Sequence, residues 1–233
     1  MTALGATLFR LGSRAAPARC LPFAAFVALM ASEPIVVGLL PAACYAPWLY
    51  GLRSAVATGL LAWCWSELGE LHTWPRWTVQ GVARATATGL LVLALWIALD
   101  FPPFVIGDTG SGFVATREDG SLDWPLALLR LAGSSLVVPV IEEVFWRSFI
   151  TRWLESRAWV ALQPAAIGGR ALLMSSIAFG FEHHQWAAGT AAGLAYGWLY
   201  RRSGSLWPAV LAHAVTNAGL GLWVIGTGAW QFW

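Results

Sequence analysis

Apolar runs long enough to cross a hydrocarbon core of about 30 Å recur along this chain, and they limit its fold more than any other feature. They fall at roughly Cys20–Leu40, Ala42–Trp65, Val82–Leu99, Leu126–Leu154, Ala171–Trp186, Ala187–Tyr200 and Leu206–Ile225. Pro, Gly or Arg interrupts several of them, so six to eight transmembrane helices are expected. With 58% hydrophobic and 11% charged residues, and a mean hydropathy of +0.63, too few charges remain to coat a soluble bundle. The predicted fold class is therefore all-α, a polytopic membrane helix bundle embedded in a lipid bilayer.

The flanks of these runs carry orientation signals. Trp124, Trp207, Trp230 and Trp233 fall near predicted helix ends, where the amphipathic indole prefers the headgroup region. Arg10, Arg14 and Arg19 at the start, and the pair Arg201-Arg202, mark a cytoplasmic side, which predicts a cytoplasmic N-terminus. The Asp100–Asp123 loop carries Asp100, Asp108, Glu118, Asp119 and Asp123 against Arg117 alone, and is expected outside. A net charge of +2, with no longer basic run, gives no reason to expect a nucleic-acid partner. Cys20–Leu40 starts too late and runs too long for a signal-peptide core, and reads as a retained helix. Cys20, Cys44 and Cys64 lie singly in apolar segments, without metal-ligand or disulfide spacing, and read as packing residues.

No second domain is visible. The chain reads as one integral membrane domain over 1–233, with N-terminal helices within 20–99, a Gly-, Pro- and Asp-rich loop over 100–123 and a helical core over 124–225. Gly189, Gly193 and Gly197, four apart in "GTAAGLAYG", line one helical face and predict close approach of a neighbouring backbone.

The chemistry concentrates in the core. Asp123 can cap a helix opening at Trp124-Pro125 that runs past Pro139 to about Arg157, with a tilt or kink expected at Pro139. Its middle reads "IEEVFWRS". Glu143 and Arg147 are four apart and can pair on one face, while Glu142 points about 100° away without such a partner. A carboxylate in that low-dielectric setting suits proton transfer near neutral pH. "SSIAFGFEHHQW" holds Phe179, Glu182, His183 and His184, and "LWPAVLAHAVTNAGLGL" holds His213 and Asn217 one turn apart, behind a cap expected at Ser205. A lone intramembrane His or Asn is often interhelical glue, and Glu143 with Arg147 can be a structural pair. Three helices bringing ionisable or amide groups to similar depth point instead to a cavity and to function.

"EEVFWR" matches an EExxxR motif, Phe179 with His183 matches FxxxH, and His213 with Asn217 matches HxxxN. In that order, on separate hydrophobic helices over roughly Trp124–Ile225, they resemble the CAAX-protease and bacteriocin-processing membrane family, which includes the type II CAAX prenyl endopeptidases and is described as glutamic-type intramembrane proteases. The FxxxH register selects His183 over His184. The Arg-rich start followed by several spans also resembles the branch linked to bacterial C-terminal sorting systems, which implies a bacterial inner membrane. The resemblance implies an intramembrane endopeptidase acting on a membrane-anchored protein or peptide tail.

Peptide hydrolysis needs an activated water, a proton donor for the leaving amine and stabilisation of a tetrahedral oxyanion. Glu142 fits the base, His183 the group that positions the water, and His213 with Asn217 the oxyanion donors. Glu143, Arg147 and Phe179 support them. No cofactor is favoured. Zinc held by Glu142, His183 and His213 is the competing version, although no HExxH pair is present. The rival from another class is a non-catalytic transporter, immunity or scaffold protein using the same polar cluster. Against a transporter, the chain shows no internal repeat and no matched pair of broken helices.

Overall fold

The computed structural model describes residues 3–39, 46–107 and 113–233. Cys44, Asp108 and the side chain of Arg10 lie outside the described residues. The chain forms α1 (Ala3–Leu39), α2 (Ala46–Trp63), the short α3 (Gly69–His72), α4 (Val79–Ala98), α5 (Trp124–Glu155), α6 (Gly169–Phe181), α7 (Trp186–Ser203) and α8 (Trp207–Thr227). No strand forms among the described residues beyond an isolated bridge between Thr116 and Leu122. Stretches within α1, α4, α5 and α8 are long and apolar enough to cross a membrane. This is an all-α helical bundle and an integral membrane protein.

Helix α5 organises the rest. Asp123 caps it, its carboxylate accepting from the Leu126 N–H at 3.3 Å, with Pro125 in the first turn. The bend expected at Pro139 is instead two wide π-helical stretches, Gly133–Val137 and Val144–Thr151, on either side of Val138–Glu143. The wide turns need compensation for altered backbone bonding. One instance is the Thr151 hydroxyl, which donates to the Trp146 carbonyl at 2.7 Å.

Small residues set the helix spacing. A Cβ on Gly193 would lie 2.8 Å from Cα of Ser176, and one on Gly189 2.9 Å from Cα of Gly180, so α6 and α7 meet backbone to backbone as the glycine spacing predicts. A Cβ on Gly89 would collide with the Ala212 carbonyl. There α4 and α8 are also joined by the Thr216 hydroxyl, which donates to the Gly89 carbonyl at 2.8 Å.

Two sequence expectations change. Ser205 does not cap α8; its hydroxyl is buried without a partner, and Leu206 occupies the cap position. Arg19 is not a juxtamembrane cation. It is buried on α1 and grips Glu70 of α3 at 2.8 and 2.6 Å, while Ser148 of α5 donates to the same carboxylate. A desolvated guanidinium needs such a partner, so Arg19 ties α1, α3 and α5 together.

Candidate active site

Glu142 and Glu143 are neighbours on α5 with different partners. Glu143 is fully buried. Its Oε2 lies 3.1 Å from Nε of Arg147, a charge contact without hydrogen-bond alignment. Its Oε1 lies 3.0 Å from Nδ1 of His213 on α8. The expected pair is therefore present and has a third member. The Arg147 guanidinium sits 4.5 Å above the Phe179 ring, a cation–π contact that accommodates the buried charge. Phe179 thus links the first two motifs.

Glu142 faces a cavity of about 260 Å³. Its Oε2 is 3.9 Å from Nε2 of His213 and accepts no hydrogen bond from any described donor. His183 enters the same cavity from the end of α6. Its Nδ1 is 2.9 Å from the Phe179 carbonyl. A carbonyl only accepts, so Nδ1 carries the proton and Nε2 presents its lone pair. The same logic at Glu143 puts a proton on Nδ1 of His213, so its Nε2 donates only when the ring is protonated. His184 does not line the cavity, and its backbone carbonyl instead accepts from Ile106 in the loop after α4.

Asn217 also lines the cavity, yet one of its amide hydrogens is committed. Nδ2 donates to the Ser134 carbonyl at 2.8 Å. In the π register the Val138 N–H bonds back to Gly133, so the donor due at Ser134 would come from residue 139. Proline has no N–H, and Asn217 supplies the missing donor. Its second amide hydrogen is the one available to a ligand.

Glu142, His183, His213 and Asn217 thus share one cavity, and further residues complete its walls. Glu182 sits at the exposed rim, held by the Trp146 indole N–H at 2.9 Å. Its position among apolar residues was the available signal. From the N-terminal half, Phe23 of α1, Tyr50 and Arg53 of α2 and Trp96 of α4 complete the wall, with Trp96 edge-on to His183 at 5.2 Å between centroids. An aromatic side chain in an apolar helix has no local mark separating core from cavity.

Residues 124–219 match the family described as type II CAAX prenyl endopeptidase Rce1-like. Over this segment the chain is similar to the CAAX-protease family. Glu142, Glu143, Arg147, Phe179, His183, His213 and Asn217 all lie inside the matched CAAX-protease segment, whereas α1, α2 and α4 lie outside it. No curated protein and no solved structure matches the chain. Among the described residues no group of three His, Cys, Asp or Glu side chains is placed to hold a metal ion.

Proposed function

We propose that the protein is an intramembrane endopeptidase that cuts a membrane-anchored protein or peptide near its membrane-proximal tail, using Glu142 to activate water. The observation that carries this is the Glu142 carboxylate facing a cavity shared with His183, His213 and Asn217 inside the CAAX-protease segment. Glu142 takes a proton from water as it attacks the scissile carbonyl, and passes that proton to the departing amine. His183 accepts a hydrogen bond from the water at Nε2. The oxyanion meets the free amide hydrogen of Asn217 and Nε2–H of protonated His213, which Glu143 holds in place.

The mechanism is proposed as metal-free. The metal alternative would have to rearrange Glu142, His183 and His213 toward a common point. The alternating course of the long helices supports a cytoplasmic N-terminus. It puts Arg14, Arg201 and Arg202 at one end and Asp100, Glu118, Asp119 and Asp123 at the other, the asymmetry expected of a bacterial inner-membrane protein with the acidic loop outside.

The test is purified protein in lipid nanodiscs with lipid-anchored tail peptides, products read by mass spectrometry. Cleavage within the tail supports the reading. Carboxylate-dependent binding of the same peptides without any cleavage favours the non-catalytic alternative.

A further inference from the structure

The cavity that holds Glu142 has a second charged end. Arg53 of α2 and Arg130 of α5 both line it and both pack on Tyr50, with guanidinium carbons 4.5 and 4.1 Å from the Tyr50 ring centroid. Arg53 is buried, 7% exposed, and pairs with Glu33 at 2.9 Å. Arg130 is partly buried, stacks on Phe113 as well, and has no carboxylate partner among the described residues. Nε of each arginine is buried without a hydrogen-bond partner. Two guanidinium groups, each with a buried Nε, therefore share one carboxylate among the described residues. Charges in such places are normally paired, because an uncompensated one costs several kcal/mol.

The catalytic end of the same cavity carries Glu142 and Glu182, which repel an anion. The Arg130 end attracts one. A peptide tail lying in the cavity thus has a preferred polarity.

We propose that Arg130, buttressed by Tyr50 and Arg53, is an oxyanion-binding subsite that holds the terminal carboxylate of the tail cut at Glu142. Glu142 lies twelve positions after Arg130. That is about 18 Å of helix rise, a length that an extended tail covers in about five residues. The peptide released is therefore short, and the scissile bond is placed by its distance from the carboxylate. Arginine suits this task because its planar donors grip a carboxylate through two bonds. The phosphate of an anionic lipid offers the same chemistry, and the experiment separates the two sources.

The subsite rests on hydrolysis at Glu142 being the reaction, so it is tested by binding rather than turnover. Full-length Glu142→Gln protein in phosphatidylcholine nanodiscs is titrated with a lipid-anchored octapeptide ending in a free carboxylate, and with the same peptide as its terminal amide. The acid is expected to bind about tenfold to hundredfold more tightly than the amide. The added change Arg130→Gln should abolish that preference, and Arg130→Lys should keep part of it, which separates loss of the charge from loss of fold. Equal binding of acid and amide, absent binding included, overturns the proposal, as does a preference that survives Arg130→Gln. In the lipid arm, phosphatidylglycerol replaces phosphatidylcholine. Arg130-dependent stabilisation by that lipid, with acid and amide bound alike, assigns the subsite to lipid phosphate and overturns the tail assignment. If the wild type fails to cut a peptide bound with the expected preference, the hydrolysis reading fails while the subsite stands.

Discussion

Nδ1 of His213 lies 3.0 Å from Oε1 of Glu143, seventy residues earlier in the chain. This contact joins the EExxxR and HxxxN motifs and gives the second glutamate two tasks. It neutralises Arg147 one turn along the same helix, and it fixes the His213 ring so that Nε2 faces Glu142.

The two tasks of Glu143 separate by mutation. Glu143→Gln leaves Arg147 as an uncompensated buried charge, costing roughly 3–5 kcal/mol of stability. Glu143→Gln with Arg147→Met should recover part of that stability, because no lone charge remains. Activity should not return with it, since a neutral amide no longer offsets the charge of a protonated His213. Thermal melts and turnover of the singles and the double check both halves. A double variant no more stable than the worse single contradicts the pairing.

His213→Ala and Asn217→Ala should each lower kcat and kcat/KM together, by roughly 10²–10³ for one lost oxyanion donor. They should differ in stability. Asn217 also satisfies the Ser134 carbonyl beside Pro139, so its loss adds roughly 1–3 kcal/mol for a buried acceptor left unpaired. Restoring an N–H with Asn217→Ala plus Pro139→Ala should recover stability without activity, read as a melting temperature against a rate.

Glycine contacts give a test independent of chemistry. Gly193→Ala puts a methyl 2.8 Å from Cα of Ser176 and should cost roughly 1–3 kcal/mol through overpacking. Gly226→Ala on α8 meets nothing within 4 Å and should be neutral. Equal melting temperatures for the two variants contradict the close α6–α7 approach.

Much of this could be read from the sequence because it is local. Hydropathy marks the helices, and α6 and α7 divide at 182–185, just before the break expected between Trp186 and Ala187. Four-residue spacing places Glu143 with Arg147 and His213 with Asn217 on shared faces. What stayed hidden depends on contacts distant in sequence. Arg19 looks like a boundary cation until Glu70 is beside it. Asn217 looks like a free donor until the proline gap at Ser134 is known. Tyr50 and Trp96 look like core until the cavity shows what they face.

Removal of metal tests the competing chemistry. Protein stripped by chelator should contain less than one equivalent of zinc and keep its activity. Stoichiometric zinc, with activity lost on removal and restored on addition, favours the ligand reading of Glu142, His183 and His213.

The most direct measurement is peptide cleavage by purified Glu142→Gln protein beside wild type, at matched folded concentration. Glutamine keeps the size of the side chain and loses its basicity, so cleavage should fall to background while peptide binding and melting temperature stay near wild type. Comparable cleavage by the Glu142→Gln protein would contradict the account.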